Sequence, residues 1–178
     1  NGVGDANGAL RKGGASFSAL TAPVALASDA TIGIDGGATL ALSNVLSGGF
    51  ALTVNGTGTL ALNSNNTYSG GTTLAGAIVN VNANRALGPG VVSVTGNGRF
   101  VIGDGLNITN EFVASTVSPG IATGLLMAND NTNNIVTTIS GPISLGSLAL
   151  NGGHFVGPTA SGYLNVSGPV TMPGVGSG

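Results

Sequence analysis

Apolar residues recur through the first hundred positions of this chain in short alternating runs, not in helical stripes. Leu40-Ala41-Leu42, Leu52-Thr53-Val54, Leu60-Ala61-Leu62 and Val92-Ser93-Val94 each place apolar side chains on one face at a period of two. That is the pattern of a short, half-buried strand. Between the runs lie Ser47-Gly48-Gly49, Asn55-Gly56-Thr57-Gly58, Ser69-Gly70-Gly71, Gly88-Pro89-Gly90 and Gly96-Asn97-Gly98. Gly and Asn tolerate positive φ there and Pro presets a turn, so each run ends at a corner. No apolar stripe at 3.6-residue spacing is present, and no helix longer than about two turns is expected.

The runs return on a beat. Leu20, Leu40 and Leu60 stand 20 apart, and Val79 and Phe100 continue the line at steps of 19 and 21. A second line, Ile34, Val54, Leu74 and Val94, advances by 20 each time, with Ile32, Leu52, Thr72 and Val92 two places before it. Strands of this length also suit a sandwich of hairpins, for which Asn-Gly is a good turn. Antiparallel neighbours, however, need no long fixed period, whereas a solenoid brings each residue above its counterpart one turn earlier. The expected fold is therefore all-β, a parallel β-helix (solenoid) with about 20-residue coils, with about eight or nine coils stacked ~4.8 Å apart into a rod ~40 Å long. Leu60 falls on an inward line and Asn63 at a corner.

After Phe100 the line resumes at Leu126, Leu148 and Leu164, at steps of 26, 22 and 16, which reads as insertion into the coils. The polar run Asn129-Asp130-Asn131-Thr132-Asn133-Asn134 reads as a loop leaving the stack. The chain is thus expected to be a single solenoid segment over 1–178, regular over about 16–108 and looser over 109–178, cut from a longer secreted protein.

The stretch Gly56-Thr57-Gly58-Thr59-Leu60-Ala61-Leu62, followed by Asn65-Asn66-Thr67-Tyr68-Ser69-Gly70-Gly71-Thr72-Thr73-Leu74 and Gly76-Ala77-Ile78-Val79-Asn80-Val81, resembles the autotransporter-associated β-strand repeat, also called the passenger-associated transport repeat. Val24 to Gly33 upstream and Ala86 to Val94 downstream are similar to the segments that flank it, so the resemblance covers roughly residues 8 to 108. At Val54-Asn55-Gly56 the chain departs from the Lys-Thr-Gly of many members, and no role of that lysine carries over. The resemblance implies a right-handed β-helix in a large secreted or surface-exposed bacterial protein, often displayed by a C-terminal outer-membrane barrel. It implies a stalk and export element, not an active site.

Composition narrows the partners. Only 6% of residues are charged and 4% aromatic, 42% are hydrophobic, and Gly occupies 33 positions. Low charge with ample hydrophobicity argues for folding over disorder. With Arg11, Lys12, Arg85 and Arg99 as the whole basic complement and a net charge of −2, no patch can neutralise several phosphates, which excludes nucleic acid as an expected partner. Zero cysteines exclude a disulfide framework and a thiolate metal site, and fit a secreted chain stabilised by repetition. No run approaches 18 apolar residues, and Asn1-Gly2-Val3-Gly4-Asp5 has neither a charged nor an apolar leader region, so no membrane-spanning helix or signal peptide is expected in this segment.

β-helices also carry lyases and hydrolases, whose chemistry needs clustered carboxylates with a basic residue or a metal. Arg99, Asp104 and Glu111 form the nearest approach, and solvated corner residues explain them better. His154 has no Cys or second His to share a metal. The run at Asp130 lacks the Gly and closing Glu of an EF-hand loop. The glycine strings lack the strand-to-helix setting of a phosphate cradle. Tyr68 is expected to cover apolar corner surface with its hydroxyl in water, beside Ser69. The glycosylation sequons at Asn55, Asn65, Asn107 and Asn165 arise easily in a chain this rich in Asn and Thr. No catalytic, cofactor-binding or metal-binding residue is expected, and no enzyme activity. The expected function is a structural, surface-display or fibre-forming module that associates end to end, secreted or on the outer surface of a bacterium. The alternative is an adhesin that binds a glycan or host protein through its wall or a loop around 115–135.

Overall fold

The computed structural model describes residues 9–116, 126–128, 136–147, 155–156 and 163–171. Among these there is no helix, and the fold is a parallel β-solenoid. One wall stacks eight strands in chain order: Leu10–Lys12, Ala30–Ile34, Leu52–Gly56, Thr72–Leu74, Val92–Val94, Phe112–Thr116, Ile143–Ser147 and Val170–Thr171. A second wall stacks seven: Phe17–Leu20, Thr39–Leu42, Thr59–Leu62, Ile78–Val81, Arg99–Ile102, Leu126–Ala128 and Phe155–Val156. The third side is less regular. Val24–Ala25 pairs with Leu46–Ser47 near the first coil, and Asn107–Ile108, Val136–Ile139 and Tyr163–Val166 form a three-stranded ladder further along. Between these two ladders the chain from Asn63 to Gly71 turns without strand pairing.

The pairing registers give the period directly. Leu40, Leu60, Val79 and Phe100 sit one above another, as the alternation predicted, and Leu126 follows at the expected step of 26. On the eight-stranded wall Val54, Leu74, Val94 and Ala114 are likewise in line. The first coils correct the reading. Leu20 stacks under Leu42 and not Leu40, and Val54 stacks over Ile32 and not Ile34, so the early step is 22 residues. A period-two strand explains how this error goes unseen: sliding by two keeps every side chain on its face. Beyond Leu126 the next residue in line is Phe155, while Leu164 belongs to the third side, opposite Thr137, and Leu148 lies outside the described residues.

The core runs down the axis. Ile32, Leu52, Val54, Leu60, Leu62, Leu74, Val79, Val81, Phe100 and Ile102 are all buried and form part of one continuous cluster. Phe100 and Phe112, from two walls, meet edge to face with ring centroids 5.7 Å apart, a favoured aromatic geometry. Leu60 is fully buried and Asn63 is exposed, as the spacing predicts for an inward line and a corner. At the wall's end Gly56 adopts φ of 108°, and a Cβ would strike the carbonyl oxygen of Ile34 in the coil below. Only glycine meets both demands.

Candidate functional site: the buried corner, the outer groove and the first coil

The corner Asn66–Thr72 carries the densest buried polar chemistry in the described structure. Asn66 is 1% exposed and spans three coils with one side chain. Its Oδ1 accepts from the Leu46 N–H below at 2.8 Å, and its Nδ2 donates to the Ala86 carbonyl above at 2.6 Å. Its own N–H donates to the Arg85 carbonyl at 2.9 Å. An amide suits this place because it both donates and accepts, replacing ladder bonds where no strand pairing runs. Asn110 ties its corner to the coil below by donation alone, with Nδ2 donating to the Gly88 and Gly90 carbonyls at 2.9 and 2.8 Å.

Tyr68 departs from expectation. Its side chain is fully buried, and its hydroxyl lies 2.6 Å from Thr72 Oγ1 and not in water. Thr72 Oγ1 in turn donates to the Leu87 carbonyl at 3.2 Å. With its single hydroxyl hydrogen so used, Thr72 accepts from Tyr68. Burial pushes the Tyr68 pKa up to about 12. A phenolate here would lose its hydration, so the group is held neutral. Ser69 is exposed, as a corner hydroxyl should be.

The remaining weighed residues do not come together. Arg99 lines an outer groove of about 450 Å³ with Asn55, Thr57, Gly76 and Asn97. Asp104 and Glu111 are exposed and do not line that groove. His154 and the run from Asn129 to Asn134 lie outside the described residues, as does most of the 115–135 loop. Among the described residues no three His, Cys, Asp or Glu side chains gather as a metal site, and no helix is long and apolar enough to cross a membrane. Sequence reasoning missed Asn66 and Asn110. The available signal was positional: Asn66 stands 20 residues after the inward Leu46 and 20 before the inward Ala86, on a buried line.

The first coil differs from those above it. Leu10 is 37% and Phe17 68% exposed. Leu10, Leu20, Val24, Leu26, Ile32 and Leu46 help line an apolar cavity of about 350 Å³. Among the described residues the strands Leu10–Lys12, Phe17–Leu20 and Val24–Ala25 each have a ladder partner on one side only.

Residues 52–81 match the family model of the passenger-associated transport repeat. This is the segment that contains Leu60, Asn66, Tyr68 and Thr72, and the chain therefore carries a repeat of that family within its solenoid. No curated protein and no solved structure matches the chain.

Proposed function

We propose that the chain is a structural length of a secreted passenger protein, a stalk that carries other parts of its parent outward from a bacterial surface, without a catalytic role. One observation carries the reading. The residues of the passenger-associated transport repeat that could serve chemistry, Asn66, Tyr68 and Thr72, are buried and engaged in joining one coil to the next. They build a rod and present nothing. Protease shaving of intact cells that express the parent protein tests this: release of peptides from this segment is expected. Retention of the intact segment in the soluble interior fraction would overturn it.

The same reading includes association of copies end to end. The apolar cavity of the first coil and its three strands, half-paired among the described residues, suit a further parallel rung, which a second copy can supply from its opposite end. Contacts of that head-to-tail kind generate open filaments rather than closed dimers. Sedimentation of the segment should show linear species that grow with concentration, and Leu20→Asp should suppress them. A strict monomer at high concentration leaves display alone.

A second reading, adhesion, draws on the outer groove, where Asn55, Thr57, Asn97 and Arg99 offer amide, hydroxyl and guanidinium groups of the kind that hold sugars. Glycan-array binding that Arg99→Ala abolishes would favour it over a plain stalk.

A further inference from the structure

We propose that Asn55 is a site of spontaneous, structure-directed deamidation, which converts a neutral position on the outer groove into a carboxylate. Asn55 is exposed at the end of its strand and is followed by Gly56, whose missing side chain leaves the backbone nitrogen open to approach. The Gly56 N–H donates to Asn55 Oδ1 at 2.8 Å, which holds the nucleophilic nitrogen beside the side-chain carbonyl carbon. Among the described residues the Asn55 amide nitrogen makes no hydrogen bond that would retain it.

The reaction needs only water. The Gly56 nitrogen, losing its proton to solvent base, forms a bond to Asn55 Cγ. The Cγ–Nδ2 bond breaks and ammonia leaves with a proton from solvent. The resulting five-membered imide opens when water adds to either of its carbonyls, giving aspartate or isoaspartate. Aspartate would place a negative charge in a groove where, among the described residues, Arg99 is the only charged one in the lining. Isoaspartate would add a carbon to the backbone beside Gly56, whose carbonyl accepts from the Ala77 N–H at 2.6 Å in the coil above. The coil contact at that corner would loosen.

Two neighbours act as internal controls. Asn44 makes the same contact to its successor, with the Val45 N–H donating to Oδ1 at 2.8 Å. There, however, the β-branched Val45 crowds the attacking nitrogen, and Asn44 Nδ2 is tied to the Thr21 carbonyl at 3.0 Å. Asn97 is also followed by glycine, but Gly98 is buried where Gly56 is half-buried, and among the described residues no N–H···Oδ1 contact like that at Asn55 sets the Gly98 nitrogen beside the Asn97 side chain.

The test is peptide mapping by mass spectrometry, with an enzymatic isoaspartate assay, on the folded chain held in mildly alkaline buffer. Asn55 should lose its amide several-fold faster than Asn97 and faster still than Asn44. In denaturant Asn55 and Asn97 should converge, because both then differ from Asn44 only in having a glycine successor. Asn55→Gln should end conversion at this site while leaving the fold intact. Folded-state conversion at Asn55 as slow as at Asn44, or no faster than at Asn97, would overturn the proposal.

Discussion

Asn63 and Asn66 stand three residues apart on the same corner and carry the same amide, yet they occupy opposite sides of the wall. Asn63 belongs to an outer rail in which Asn82 Nδ2 donates to Asn63 Oδ1 at 2.7 Å, and Asn63 Nδ2 reaches Ser43 Oγ at 3.4 Å. Asn66 belongs to the buried corner, where it replaces missing ladder bonds to Leu46 and Ala86. Both series tie one coil to the next. They differ in what happens when a partner is removed. On the rail, water takes the vacated place. In the corner no water is at hand, so the loss includes the desolvation of the groups left behind. Equal hydrogen bonds in a drawing are therefore unequal in energy.

The strongest way to break this contrast is to damage the core beneath both series. Leu60→Ala should cost on the order of 2–5 kcal/mol, and Leu60→Asp more, because a buried unpaired carboxylate must be protonated or expose itself. Denaturant unfolding measures both. Next comes Asn66→Ala, which strands the Leu46 N–H and the Ala86 carbonyl at about 1–3 kcal/mol each. Hydrogen exchange at Leu46 should rise in that variant well above exchange at neighbouring ladder amides.

Tyr68→Phe should cost less, about 0.5–1.5 kcal/mol, since Thr72 keeps its bond to Leu87. This variant also tests the phenol's environment. The folded-state pKa of Tyr68 is raised from 10.0 to about 12. The associated stability is therefore fully present below pH 10 and is lost as pH climbs from 10 through about 12, because the unfolded chain releases the proton first. Unfolding midpoints followed across that range should fall more steeply for the parent chain than for Tyr68→Phe. Parallel slopes would mean that the hydroxyl is hydrated after all. The smallest effect belongs to Asn63→Ala, within about 0.5 kcal/mol, as for most surface changes. Equal losses at Asn63 and Asn66 would erase the distinction between rail and corner.

The exposed ion pair of Arg11 with Asp35 belongs with the rail. Its guanidinium Nη2 lies 3.0 Å from the carboxylate, with both side chains over 40% exposed. Solvent screening and side-chain entropy leave such a pair contributing little. It marks the first coil without securing it.

Much of this architecture was legible in residue order. Leu40-Ala41-Leu42 and its successors announced strands by their period of two, and the steps from Leu40 through Leu60 and Val79 to Phe100 announced a stack of coils, because a solenoid repeats its contacts at the length of its turn. The corner motif around Asn66, Tyr68 and Thr72 was legible as a family repeat. What residue order left open was register in the first coils, where Leu20 and Ile34 fit equally well two places away, since such a slide alters neither face nor pattern. It also left open which side of the wall the Tyr68 hydroxyl and the Asn66 amide occupy. Those were decided by tertiary structure: a polar group goes inside only where neighbouring coils offer it partners, and the Leu46 N–H, the Ala86 carbonyl and the Leu87 carbonyl become partners only once coils some 20 residues apart are stacked one on another.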